Sequence, residues 1–255
     1  MLIDTHCHLH FDAFDPDRDT VIARAAEYGV TRIVNVGTDP ATNQAALELA
    51  SKHPGKLFHT VGLHPHHSHE VDETAVKTLE EFAEKNRPLA IGEIGLDYFK
   101  SQADHETQKK AFTRMLALAR RLDLPVIVHS RDAFEDTFRI LEEEGKGLRG
   151  VMHCFSYDRA AMERLFGIGF LVSFTCNLTF KNTGALLEVA AAAPLGKFML
   201  ETDAPYLAPQ IYRGMRNEPA CVVHLAHFLA EKRGIEQDAI AEATTKTAIE
   251  FFKLA

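Results

Sequence analysis

The sequence has no tryptophan and only four cysteines, Cys7, Cys154, Cys176 and Cys221, in 255 residues. No two of them form a CxxC pair, so neither a disulfide framework nor a zinc ribbon is indicated, and a reducing cytoplasm is the expected compartment. No stretch approaches the ~18 consecutive apolar residues of a membrane span, and no basic segment with an apolar core follows Met1. Positive charge is also short: 28 Lys and Arg stand against 36 Asp and Glu, a formal net charge of −8. That balance opposes tight wrapping of a long polyanion, which needs many cationic contacts to phosphate. A nucleic acid ligand would be gripped locally. No Pro-, Gly- or Ser-rich linker interrupts the chain, so one domain over residues 1–255 is expected.

What the chain does have is 14 histidines, gathered at a few places, and 46% apolar residues, enough for one large core. Short apolar, β-branched runs recur at 2–7, 32–37, 57–63, 89–95, 125–130, 150–155, 169–174 and 197–203. Between them lie segments of 3.6-residue periodicity; residues 106–122 are the clearest, with Phe112, Met115, Leu116 and Ala119 at core spacing. Eight strands alternating with helices predict parallel βαβ units, and in about 250 residues this is the size of an α/β (β/α)8 TIM barrel. A doubly wound open sheet is the alternative. The last ~50 residues carry no further strand pattern; an irregular loop at 206–219 and two helices closing the outside of the barrel are expected there.

In such barrels the active site is built at the C-terminal strand ends. Those ends carry His6 and His8 (first run), Glu93 (fourth), His129 (fifth), His153 (sixth) and Asp203 (eighth), with His64 directly after the third. In the stretch IDTHCHLH, strand alternation puts His6 and His8 on one face. Taken singly, each residue has a bland reading: a hydrogen-bonded boundary histidine, or a salt-bridged carboxylate at the rim. Their coincidence at one structural level is what independent structural roles would not require. Four imidazoles and two carboxylates suit divalent metals and exceed the needs of one tetrahedral ion. Two ions ~3.5–4 Å apart, sharing a carboxylate, can activate water and clamp both oxygens of a displacement at phosphorus.

DTHCHLH, GLHPH (62–66), IGEIGLDY (91–98), VIVHSRDA (126–133), MHCFS (152–156), ETDAPYLAP (201–209) and RGMRNEP (213–219) together resemble the TatD-type metal-dependent deoxyribonucleases of the amidohydrolase superfamily. The resemblance spans nearly the whole chain in the right order. It implies a (β/α)8 barrel, two divalent metal ions (Mg2+, Mn2+ or Zn2+) and hydrolysis of DNA phosphodiesters, as a 3′-to-5′ exonuclease. It makes His6, His8, Glu93, His129, His153 and Asp203 the metal ligands. Glu93 would reach both ions, His6, His8 and Asp203 would serve mainly one, and His129 and His153 the other. Asp203 would also accept a proton from the attacking water, and His64 would touch the substrate phosphate. Two positions depart from the pattern, Cys176 where glycine is common and Ala204 where serine is common, and neither replaces a ligand.

Further substrate contacts are expected from Arg131, two residues past His129, from Arg213 and Asn217 in the loop after the eighth strand, and from Tyr98, which could stack on a base. His67 and His69 read as exposed loop residues, with His66 undecided. Cys7 and Cys154 should face away from the site by strand alternation. The partner expected is DNA, single-stranded or at a 3′ end, with no membrane and no obligate protein partner, the chain acting as a monomer. Two competing functions keep the same barrel: hydrolysis of an ester or amide, such as a D-aminoacyl-tRNA ester, and a scaffold that catalyses nothing. Arg131, Arg213 and Tyr98 favour phosphate-bearing substrates, and intact ligands at all six positions argue against the scaffold.

Overall fold

Each of the eight apolar runs forms a parallel strand in the computed structural model, which describes residues 1–254. The strands are β1 Leu2–Cys7, β2 Val30–Asn35, β3 Leu57–His59, β4 Ile91–Asp97, β5 Val126–Arg131, β6 Gly150–Met152, β7 Leu171–Phe174 and β8 Phe198–Leu200. Between them run α1 Arg18–Glu27, α2 Pro40–Lys52, α3 Glu73–Asn86, α4 His105–Leu122, α5 Phe134–Glu144, α6 Arg159–Gly167 and α7 Gly184–Ala192; α8 Val222–Arg233 and α9 Gln237–Phe252 complete the chain. Helix starts follow local chemistry. The Asp39 side chain accepts from the backbone of Ala41 and Thr42 in a capping box, with Pro40 in the first turn of α2. Asp104 caps α4 through Thr107, and the predicted face of that helix, Phe112, Met115, Leu116 and Ala119, is buried.

Strands β1 to β3 and β4 to β8 pair in sequence order. Single bridges, Val61 to Ile91 and Cys7 to Ala204, join the two sets into a (β/α)8 barrel. At the β8–β1 seam, Asp4 accepts hydrogen bonds from the Thr202 hydroxyl (2.6 Å) and amide (2.9 Å). Burial pushes the Asp4 carboxyl up to about 8 despite those bonds. The larger apolar cluster includes Leu2, Ile33, Val126, Val128 and Phe198 together with residues of the surrounding helices.

A second cluster lies at the base of the lumen: Ile3, Val34, Ile127, Val151 and Met199 meet Phe251 and Phe252 of α9. The final helix therefore does not only close the outside, as expected from sequence; its end plugs the barrel floor. From that floor, alternation carries up to two proposed ligands, Ile127 to His129 on β5 and Val151 to His153 after β6; past β8 it carries Met199 to Glu201, and Asp203 follows on a left-handed backbone, φ 55°. Two strands break the rule. β1 advances three residues, Asp4 to Cys7, while β2 advances two, and β4 advances three, Ile91 to Ile94, while β5 advances two. Such bulges change which face the following residues present. They allow Ile3 and His6 both to face the lumen, and they turn Glu93 inward between the outward Ile91 and Ile94.

Candidate metal centre

The bulge in β4 needs room that only glycine leaves. A Cβ on Gly62 would lie 2.5 Å from the Glu93 nitrogen and the Gly92 carbonyl carbon, so Gly62 lets the backbone of β4 pass where Glu93 is presented. Glu93 Oε1 then lies 2.7 Å from both His129 Nδ1 and His153 Nε2, and 3.5 Å from His64 Nε2. Its other oxygen is 3.5 Å from His6 Nε2. On the opposite side, Asp203 Oδ1 faces His8 Nε2 at 3.5 Å and His6 Nε2 at 3.7 Å. The donors fall into three overlapping groups: His6, His8 and Asp203; His6, Glu93 and His153; His64, Glu93 and His129. All six predicted metal ligands converge, with Glu93 at the centre, and His64 joins them.

The outer nitrogens show which imidazoles can give a lone pair inward. His8 Nδ1 is 2.7 Å from the Val36 carbonyl, so it carries the hydrogen and Nε2 points its lone pair at Asp203 and His6. His129 turns its outer nitrogen towards Asp97 Oδ2 at 3.3 Å, and His153 towards Glu201 Oε1 at 3.4 Å. These two contacts are close approaches and not formed hydrogen bonds, but a carboxylate behind a histidine is the usual device for orienting a metal ligand. His64 is the reverse: its Nδ1 accepts from the His66 backbone at 3.2 Å, so in the neutral ring the hydrogen sits on Nε2 and points into the site. It presents a donor, fit for an anion.

The site also demands positive charge. Burial alone would push Glu93 and Asp203 up, yet the facing imidazoles hold both below the usual carboxylate range. Conversely, burial works against protonation of His153 and His129, but the carboxylates beside them raise both. His6 is lowered by burial and by His153, and burial pushes His64 down to about 3. His6 Nε2 and His8 Nε2 face each other at 3.3 Å, two acceptors with nothing between them unless one holds a proton or a cation is shared. Four imidazoles and two carboxylates arranged in this way fit divalent cations by chemistry and by charge. Glu201, buried, also accepts from the Cys154 amide and the Ser173 hydroxyl, each at 2.7 Å.

Above the donors lies a cavity of about 770 Å3. Arg131, His64, His66 and Arg213 line it. Arg131 is there because β5 persists to that residue, as the spacing from His129 required. Tyr98 and Asn217 are not among the lining residues. Tyr98 donates its hydroxyl to Asp136 at 2.7 Å and stacks on His105 at 3.5 Å between ring centres, turned away from the cavity. Asn217 is fully buried and donates to the carbonyls of Thr202 and Tyr206, bracing the loop after β8 from within. His67 and His69 lie beside Glu70 in a short 3-10 turn. Cys7 is buried beside Asn35, but Cys154 lines the cavity: β6 ends at Met152 and Cys154 has a left-handed backbone, φ 48°, so alternation no longer governs it.

Asp97 and Glu201, the carboxylates behind His129 and His153, escaped the sequence reading. Both had a signal, an acid at the level of a ligand on the same or an adjoining strand, in IGEIGLD and ETD.

Residues 3–253 match the family model of the TatD related DNases. The chain is 36% identical over 255 residues to an uncharacterized metal-dependent hydrolase, YabD of Bacillus subtilis, covering 100% of both. It is 36% identical over 259 residues to the 3′-5′ ssDNA/RNA exonuclease TatD of Erwinia tasmaniensis, covering 99% of this chain and 100% of that one. Among solved structures, YJJV, a TatD homolog from Escherichia coli, superposes with a TM-score of 0.92 at 29% identity over 100% of this chain and 98% of that one. With a family model matched over residues 3–253 and relatives covered over their whole length, the chain belongs to the TatD related DNase family.

Proposed function

We propose that this protein is a metal-dependent hydrolase of phosphodiester bonds that removes nucleotides from the 3′ end of single-stranded nucleic acid. The observation that carries the reading is the His64 N–H donor beside a metal-type donor set, under a cavity mouth holding two arginines. Bound divalent cations would supply Lewis acidity, making water more acidic and neutralising charge on the phosphoryl oxygens. His6, His8 and Asp203 would hold one ion and His129 and His153 the other, with Glu93 reaching both.

The protein's own groups do the rest. Glu93 is 5% exposed at the side chain and Asp203 15%; both line the cavity, and Asp203 is the more open of the two. Held ionised, Asp203 is the carboxylate that can take the proton from attacking water. His64 donates to a phosphoryl oxygen, and Arg131 and Arg213 offer charge to the flanking phosphates. One chain supplies every one of these groups, so a monomer suffices. No helix among the described residues is long and apolar enough to cross a membrane, and a cytoplasmic setting suits the free thiols.

The test is digestion of a 5′-labelled single-stranded DNA oligonucleotide by metal-reconstituted protein, beside the same protein with chelator and beside His153→Ala. A metal-dependent ladder shortening from the 3′ end, lost in the variant, is expected. No cleavage by protein shown to hold its metals would sink the nuclease reading and turn attention to ester and amide substrates, such as a D-aminoacyl-tRNA ester.

A further inference from the structure

Exposed apolar side chains cluster at the mouth of the cavity. Of the nine large apolar residues that are strongly exposed among the described residues, Tyr206 and Met215 line the cavity, Ile211 and Tyr212 belong to the same loop, and Phe99 lies just outside the lining, next to Lys100 and under Arg131, which do line it. Phe99 is 60% exposed and Met215 66%. Lys100, Arg131 and Arg213 lie among them, and the two arginines are each laid on a ring: Arg131 over Phe99 at 4.2 Å and Arg213 over Phe180 at 3.8 Å. Among the described residues neither arginine is matched to a carboxylate, in a chain whose acids outnumber its bases. The turn bearing Phe99 is fixed, since Asp97 Oδ1 accepts from the amides of Phe99 (2.9 Å) and Lys100 (2.7 Å).

Planar apolar faces, guanidinium planes held by aromatic rings and uncompensated positive charge are what an unpaired nucleobase and its phosphate require. Inside a duplex both faces of a base are taken by the stack and only the outer face of the last pair is free, so an unpaired base suits such a surface better. We infer that Phe99 with Arg131 forms a stacking seat for an unpaired base next to the scissile phosphate, with Tyr206 and Met215 on the facing wall, so that the enzyme selects single strands by their bases. The inference rests on the nuclease reading and replaces Tyr98 by its neighbour as the stacking aromatic. The seat contributes to binding and leaves the bond-breaking step alone.

Metal-loaded wild type, Phe99→Ala and Phe99→Trp are compared on a short oligothymidylate and on the same strand with its 3′-terminal nucleotides made abasic. Base stacking in single-strand binders corresponds to a change of roughly tenfold per base. Wild type should show KM about tenfold lower on the base-bearing strand. Phe99→Ala should lose that advantage with kcat unchanged, show no further loss on the abasic strand, and be rescued by Phe99→Trp. Equal KM on both strands in wild type, or an equal rise on both in Phe99→Ala, overturns the stacking seat while the nuclease stands. Cleavage of neither strand by wild type overturns both.

Discussion

The carboxylate of Asp97 faces the outer nitrogen of His129 across 3.3 Å, and the same oxygen lies 3.2 Å from the half-exposed ring of His66. Its other oxygen is committed to the amides of Phe99 and Lys100. That division fixes what an isosteric amide would do. In Asp97→Asn the turn amides keep the oxygen, leaving NH2 against His129 and driving the ring to the tautomer with its hydrogen pointing at Glu93. Metal affinity should fall about 10- to 100-fold. Isothermal titration with Mn2+ or Zn2+ reads this directly; unaltered affinity would show that Asp97 does not set the tautomer.

Gly62 offers a test of the bulge. A methyl group there would collide at 2.5 Å with backbone on both sides of the Gly92–Glu93 peptide, where no side chain can swing aside. Gly62→Ala should lower Tm by roughly 5 °C, the usual cost of overpacking in a chain of this size, and should weaken metal binding by moving Glu93. Gly167→Ala, at the end of α6 with nothing within 4 Å of the new Cβ, is the control and should leave both properties unchanged. Equal effects from the two variants would remove the special role given to Gly62.

The eight strands and the convergence of six donor side chains were legible because both are repeated signals: apolar β-branched runs of similar length, and chemistry at the same end of each. What was hidden depends on pairing between distant segments. The bulges in β1 and β4 exist only against β2 and β5, so alternation could be followed through His129 and His153 but not from Ile3 to His6. It also failed past strand ends, where φ 48° turns Cys154 into the cavity and the turn after β4 hides Tyr98 and exposes Phe99. The plug formed by Phe251 and Phe252 depends on the far end of the chain meeting the barrel floor.

Asn217 shows how a polar residue near a site can be structural. Its side-chain NH2 donates to the carbonyls of Thr202 at 2.9 Å and Tyr206 at 2.7 Å, and its oxygen accepts from the Glu218 amide at 2.9 Å. Asn217→Ala removes all three bonds, one fully buried and two partly buried, and leaving such groups without a partner costs about 2–3 kcal/mol. Urea denaturation without substrate should show that loss. A variant as stable as wild type but with a raised KM would instead make Asn217 a substrate contact.

His59, at the end of β3, is 8% exposed and its Nε2 has no partner. Burial lowers it from 6.5 to about 4. Between those values the unfolded chain binds a proton that the folded chain refuses, so the contribution to stability is complete above pH 6.5 and is lost as pH falls towards 4. Across that window it amounts to about 3 kcal/mol. His59→Leu removes the titrating group and keeps an apolar body in the same space. In metal-free protein the variant and wild type should agree in stability within about 1 kcal/mol at pH 7.5, and the variant should become the more stable of the two as the pH is lowered to 5. Because the other histidines titrate alike in both proteins, the difference curve isolates this residue. A flat difference from pH 7.5 to 5 would mean that the folded protein accepts the proton on His59 with no penalty, and that its burial in β3 is not what holds the ring neutral.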